Sequence, residues 1–162
     1  MKKIDTLISD IYNLFSDGGG CKISKAKRDK AIEQCVSNIK QQLLDSVTGN
    51  DIQPKKLRMS NVGYPDRQLW YQFQDTEREP LKDSDYIKFL YGHIIEELVL
   101  CFAELAGHKV TDRQKETNLE GVTGHIDGRI DGMLVDVKSA SPMGFRKFQD
   151  KSLHTVLWLY LF

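Results

Sequence analysis

The sequence predicts an α/β fold: a small mixed sheet flanked by helices and preceded by a helical N-terminal arm. Three observations carry this prediction. Residues 80–107 repeat apolar side chains at helical spacing, and so do residues 3–15 and 24–45. Residues 124–139 instead alternate apolar and polar side chains on both sides of Asp131-Gly132, the pattern of a β-hairpin. The Gly and Pro of residues 48–54 separate the first two helices from everything that follows, which gives an arm over 1–53 and a core over 54–162.

In chain order, Ile4, Leu7, Ile8, Ile11, Leu14 and Phe15 mark the first helix, which Gly18-Gly19-Gly20 stops. A second helix runs from about Ser24 to Asp45, with Ile32, Cys35, Val36, Ile39, Leu43 and Leu44 as its buried stripe. Lys25, Lys27, Arg28 and Lys30 crowd its start, where cations oppose the helix dipole. Either phosphate binding or simple solvation accounts for them, and solvation is favoured. Residues 58–74 mix Ser, Arg and aromatic residues, a composition that can hold a nucleic-acid strand by phosphate contact and stacking. Most of Leu69, Trp70, Tyr71 and Phe73 are assigned to the core instead, and Arg67 is retained as a candidate phosphate ligand.

The helix over 80–107 takes Ser84 as its N-cap and Gly107 as its stop. Phe89, Leu90, Ile94, Leu98, Cys101, Phe102 and Leu105 form its stripe. His93, Glu96 and Glu97 interrupt it, and a charge inside a core helix needs a partner. Gly92, one turn before Glu96, bares the backbone for an approaching element, so Glu96 becomes a candidate site carboxylate. Glu97 is assigned to solvent. Residues 108–117 read as one polar edge strand, and residues 118–123 turn into the hairpin.

Asp131-Gly132 suits a type I′ turn, whose two central residues both need φ > 0. That turn pairs Ile130 with Met133, Arg129 with Leu134, Gly128 with Val135, Asp127 with Asp136, Ile126 with Val137 and His125 with Lys138. One face then carries Ile126, Gly128, Ile130, Met133, Val135 and Val137 as core; the other carries His125, Asp127, Asp136 and Lys138. Opposed carboxylates repel unless a hard cation such as Mg²⁺ lies between them. A lysine on the same face would steady the charge of a phosphate beside that cation. An ordinary solvated hairpin face is the alternative reading of the same pattern.

Length and composition set the limits. The chain has 162 residues, enough for a core, and zero formal net charge. The charge is uneven: residues 1–70 sum to +4 and residues 71–162 to −4. A basic half beside an acidic half suits a nucleic-acid groove next to a metal site, although chance produces such asymmetry as readily. Cys21, Cys35 and Cys101 are too scattered for a zinc site or a disulfide framework and fit a reducing compartment, with Cys35 and Cys101 in the core. No signal peptide or membrane-spanning run is read, which points to the cytoplasm. Arg146 to Gln149 start a helix after a small-residue loop, and the apolar stretch Thr155–Phe162 is expected to dock on the core or to mark a shortened chain. Phosphate-loop, nucleophile-elbow and zinc-helix motifs are absent.

Three blocks resemble the PD-(D/E)xK nuclease superfamily, and within it the RecB-like exonucleases of phages and CRISPR-associated systems. Gly92-His93-Ile94-Ile95-Glu96 is similar to its helical Gly-x-x-x-Glu block. Gly124-His125-Ile126-Asp127-Gly128 is similar to the block with the first metal Asp, and Val135-Asp136-Val137-Lys138-Ser139 to the D/E-x-K strand. Ser60 to Arg67 resembles an upstream Ser-and-Arg segment more loosely.

The resemblance implies a restriction-endonuclease-like core and metal-dependent hydrolysis of DNA phosphodiesters, exonucleolytic and phage-type. Glu96, Asp127 and Asp136 would hold Mg²⁺ or Mn²⁺ with the carbonyl of Val137, and Lys138 would orient or activate the attacking water. Arg67, His125, Ser139 and Ser141 would contact the nucleic acid. The compartment would be the cytoplasm, the host's for a phage protein. Some RecB-like members hold an iron–sulfur cluster on four Cys; no such set exists here, so none is expected. Their Gln-x-x-x-Tyr-like motif is also out of register at Gln149 and Tyr160, which leaves the end of the core incomplete or altered. An endonuclease of the same superfamily and a non-catalytic nucleic-acid-binding remnant are the alternatives.

Overall fold

The computed structural model describes residues 2–16, 18–48, 57–74 and 82–139, with Met143 and Arg146. Ser141, the domain boundary at 53/54, residues 147–149 and the stretch Thr155–Phe162 lie outside the described residues. The architecture mixes helices with small antiparallel sheets.

A 3₁₀ turn at Ile4–Thr6, which buries Ile4, leads into α1 (Leu7–Asn13), which buries Leu7 and Ile11. Ile8 and Phe15 face outward instead, and Phe15 packs edge-on against Phe102. α2 (Lys25–Thr48) packs along α4 (Asp83–Leu105). Their crossing uses small residues. The Cys35 thiol donates to the Glu97 carbonyl, and the Cys101 thiol to the Ala31 carbonyl, each at 3.7 Å. Only Ala31 and Cys35 of α2 are buried. Ile32, Val36, Leu43 and Leu44, expected in its stripe, are exposed and Ile39 is half-buried, because α4 covers α2 only where the two backbones come close.

α4 starts at Asp83 after Lys82, with no side-chain cap, so Ser84 is inside the first turn and not at the N-cap. Asp83 and Asp85 favour that end electrostatically. Gly107, at φ +89°, ends the helix as expected. Phe89 and Leu98 are exposed, while Val99, Leu100 and Ala103 join the core. α3 (Asp66–Phe73) buries none of its residues. Trp70, Tyr71 and Phe73 are exposed and Leu69 is half-buried, which corrects their assignment to the core.

The expected edge strand over 108–117 is two strands. Asp112 (φ +54°) and Gln114 (φ +47°) turn the chain between β1 (Val110–Thr111) and β2 (Lys115–Leu119). β2 pairs with β3 (Val122–Ile126) through a tight turn at Glu120-Gly121. β4 (Gly128–Ile130) pairs with β1 on one side and β5 (Met133–Val135) on the other. The sheet order is β1-β4-β5, all antiparallel; a parallel contact occurs only as the isolated bridge Arg58↔Thr123 among the described residues.

The Asp131-Gly132 turn has φ +52° and +89°, and the β4–β5 register is the one the turn type demands: Ile130↔Met133, Arg129↔Leu134, Gly128↔Val135. The long hairpin then stops. Ile126 pairs with Lys115 and His125 with Glu116, not with Val137 and Lys138. Ile130 and Val135 are buried against Leu7, Ile11, Leu100 and Ala103. The N-terminal helix therefore shares its core with the hairpin. Gly128 lies under Leu100, where a Cβ would make an ordinary contact with Leu100 Cδ2 at 3.5 Å. Met133, expected in the core, is exposed at the hairpin end. No helix among the described residues is long and apolar enough to cross a membrane.

A polar clasp ties α1 to the hairpin turn. The buried His108 ring places Nδ1 2.6 Å from Asp131 Oδ2 and Nε2 3.1 Å from Asp10 Oδ2. The Lys109 amide donates to Asp131 Oδ1 (3.0 Å), and Lys2 Nζ meets Asp10 (2.9 Å). Burial alone would raise Asp131, but hydrogen bonds from His108 and Lys109 hold it below the usual carboxylate range. Removing one partner of a buried charged pair strands the other. Asp131→Ala is expected to cost about 2–3 kcal/mol in urea unfolding, an unmet buried hydrogen bond to a charged group. A change under about 0.5 kcal/mol, the size of an ordinary surface substitution, would rule the clasp out as a stabilising contact.

Candidate active site

Three carboxylates and a lysine from separated stretches of chain share one electrostatic neighbourhood. Asp127 sits where the chain leaves β3 for β4, and Asp136 directly follows β5. They flank the last rung of the hairpin ladder, Gly128↔Val135, so the turn register sets both positions. Asp127 reaches across: its Oδ2 accepts the Val137 amide at 2.6 Å. Its backbone carbonyl accepts the Gln114 amide at 3.2 Å.

Glu96 comes from α4 and is buried, 6% exposed. The Gln114 side-chain amide donates to Glu96 Oε1, and His93 Nδ1 lies 3.8 Å from Glu96 Oε2. Lys138 Nζ bonds Asp136 Oδ1 at 2.7 Å. Asp136 Oδ2 is buried with no hydrogen-bond partner among the described residues. A buried carboxylate oxygen left unmet costs free energy unless a cation or water completes it.

The electrostatics follow from this crowding. Burial pushes the Asp127 carboxyl up to about 6, and the charges of Glu96 and Asp136 push the same way against the Val137 hydrogen bond. For Lys138 burial acts downward, but the Asp136 hydrogen bond and the charges of Asp136, Asp127 and Glu96 win, so its pKa is raised. Its ammonium form is the one the site selects.

The donor set is chemically suited to a hard divalent cation, because carboxylate oxygens match Mg²⁺ or Mn²⁺. Among the described residues, no three His, Cys, Asp or Glu side chains form a ready-made metal cluster. Holding a cation would mean drawing Glu96, Asp127 and Asp136 closer, with Lys138 yielding Asp136 Oδ1.

Other expected site residues fall as follows. Val137 contributes its amide to Asp127. His125 is exposed on β3 opposite Glu116, and Ser139 is exposed beside Lys138. Arg67 is exposed on α3, its guanidinium 5.9 Å from the Tyr71 ring centre; Tyr71 also meets Trp70 edge-on at 5.0 Å. The segment before α3 is fastened to β3. The Thr123 amide donates to the Leu57 carbonyl (3.0 Å), and Met59 packs so closely on Gly124 that a Cβ there would lie 2.6 Å from its Cγ. Asn61 Nδ2 donates to Gln72 Oε1 at 2.9 Å, tying that segment to α3. Gly92 makes no close approach: a Cβ there would meet nothing within 4 Å among the described residues.

Glu97, assigned to solvent from sequence, is 4% exposed. Its Oε2 accepts Arg113 Nη1 at 3.1 Å, while Arg113 Nη2 reaches Glu104 at 2.7 Å. Burial pushes Glu97 up, with hydrogen bonds from Asn38 and Arg113 and the Arg113 charge opposing. The helical spacing of Glu97, Cys101 and Glu104 was the available signal, for it places both acids on the Cys101 face. Gln114, which bridges Glu96 and the Asp127 backbone, carried no sequence signal.

Compared with protein-family models, curated proteins and solved structures, the chain matches none.

The raised Asp127 fixes a pH dependence. With its folded pKa at about 6 and an ordinary value of 3.8, the native state holds more protons between those values, so stability falls as pH rises through that window. In EDTA, the Tm of wild type minus that of Asp127→Asn should decrease from about pH 4 to about pH 6 and then level off. A difference independent of pH would refute the burial of Asp127 among like charges.

Proposed function

We propose that the protein is a metal-dependent nuclease that hydrolyses phosphodiester bonds in DNA, of the PD-(D/E)xK type and the RecB-like, phage-type exonuclease branch. The observation that carries this reading is Asp136: one oxygen on Lys138, the other buried and without a hydrogen-bond partner among the described residues, in the same electrostatic neighbourhood as Asp127 and Glu96. Two carboxylates flanking the last rung of a hairpin, with an adjacent ammonium group, have little use in a sheet selected only for stability.

Glu96, Asp127 and Asp136 would hold the cation, the Val137 carbonyl remaining a further candidate ligand. Bound Mg²⁺ or Mn²⁺ would polarise the phosphate and acidify an attacking water. Lys138, kept protonated by its neighbours, would act as a fixed positive charge toward the phosphate, not as the proton acceptor. Gln114 holds Glu96 in place through its amide. Arg67 with the exposed Trp70 and Tyr71 would grip the strand, and His125, Ser139 and Ser141 remain candidate phosphate contacts. Such an enzyme acts in the cytoplasm, the host's for a phage protein. An endonuclease of the same superfamily uses the same site.

A second reading, a nucleic-acid-binding domain without catalysis, is favoured by the Lys138–Asp136 ion pair and by the lack of a ready-made cluster among the described residues. Cleavage separates the two. Linear DNA labelled at either end, single- or double-stranded, should be degraded with Mg²⁺ or Mn²⁺ and spared in EDTA. Lys138→Ala, Asp127→Asn and Asp136→Asn should each lower the rate by about two to three orders of magnitude. DNA retention without cleavage by wild type would establish the binding domain instead.

A further inference from the structure

We infer that a second site, separate from the carboxylates, binds the phosphate backbone of a nucleic-acid strand in the cleft between the start of α2 and the α4–β1 turn; this inference rests on the nuclease reading. The cleft has a volume of about 770 Å³. Lys27 and Lys30 from α2 and Lys109 from the far wall line it, together with Arg113 and the apolar Ile23 and Val110.

The charge accounting singles out the three lysines. Both carboxylates of the lining already have cationic partners: Glu104 has Arg113 at 2.7 Å, which it shares with Glu97, and Asp112 has Lys115 at 3.2 Å and Arg129 at 3.3 Å. His108, also in the wall, has both ring nitrogens against Asp10 and Asp131. The side chains of Lys27, Lys30 and Lys109 make no ion pair or hydrogen bond to another described residue. Lys27 and Lys30 are three apart on one helix face, an arrangement of like charges that disfavours the helix unless an anion lies between them. Two distant parts of the chain thus converge on one cavity with unmatched positive charge. The backbone of the α2 end takes no part in this.

The position favours a strand over a free phosphate. Arg113 of the cleft lining is followed in the chain by Gln114, whose side-chain amide bonds Glu96. A chain of phosphates lying along the lysines is therefore led toward the carboxylates. The sequence reading of these lysines as a solvated helix end left Lys109 out, because nothing in the sequence places residue 109 beside residue 27.

The test is the salt dependence of binding, read by anisotropy of a short labelled oligonucleotide, single-stranded or annealed to its complement. The full chain is used, with Ca²⁺ as the divalent cation. Lys27→Gln/Lys30→Gln/Lys109→Gln is compared with wild type and with Lys3→Gln/Lys40→Gln/Lys82→Gln, which removes the same charge from exposed positions outside the cleft. The slope of log K against log salt should become shallower by about 2 for single-stranded DNA in the cleft variant alone, at about 0.7 per phosphate contact. Lys109→Gln by itself should remove about 0.7, which keeps the test open if the triple variant unfolds. An unchanged slope in the cleft variant, or equal losses in both triple variants, overturns the cleft site. If wild type cleaves DNA while the cleft variant binds normally, only the cleft site falls; if wild type neither binds nor cleaves, the nuclease reading falls with it.

Discussion

The Asp131-Gly132 turn is the constraint on which the rest depends. Its two positive φ angles fix the β4–β5 register, and a slip of one residue would turn every side chain of the hairpin to the other face. In the register observed, Ile130 and Val135 go to the core while Asp127 and Asp136 flank the last rung. The same Asp131 carboxylate anchors His108 and the Lys109 amide. One residue therefore sets the local turn, docks the N-terminal helix through Asp10, and places the two carboxylates beside each other.

Charge is treated differently in two layers of the molecule. Under α4, Glu97 and Glu104 share Arg113, so burial is matched by a fixed guanidinium. At the end of the hairpin, Glu96, Asp127 and Asp136 outnumber Lys138, and Asp127 is raised first by burial and then by the charges of Glu96 and Asp136. The Arg113 network meets its acids with a guanidinium; at the hairpin end Asp136 Oδ2 has no hydrogen-bond partner among the described residues.

What was legible in the sequence was local. The hairpin register followed from Asp131-Gly132, because a two-residue I′ turn allows only one pairing of its flanks. The end of α4 followed from Gly107, and the burial of Cys35 and Cys101 from their helical spacing. Contacts between distant segments were not legible. Arg113 gives no sign in sequence that it faces Glu97, and a polar run at 108–117 does not show that Asp112 and Gln114 bend it into two strands. The long hairpin failed at Asp127 for a related reason: alternation continues through β3, but its pairing partner is β2. Of the proposed site, Asp127, Asp136 and Lys138 came from the register, whereas their link to Glu96 through Gln114 needed the tertiary structure. The aromatic residues of α3 were misassigned because apolar composition shows which residues can be buried, not which are.

The long reach between Asp10 and His108, 98 positions apart, bears on how the chain is made. α1 exposes Leu7 and Ile11 as soon as it leaves the ribosome, yet their partners Leu100 and Ile130 follow far behind. At about 5–20 residues per second, that apolar stripe waits roughly 5–20 s before it can be covered. The second helix, whose buried residues are only Ala31 and Cys35, offers little shelter in the interval. Vectorial synthesis thus leaves the α1 stripe open to chaperones until the hairpin has been made.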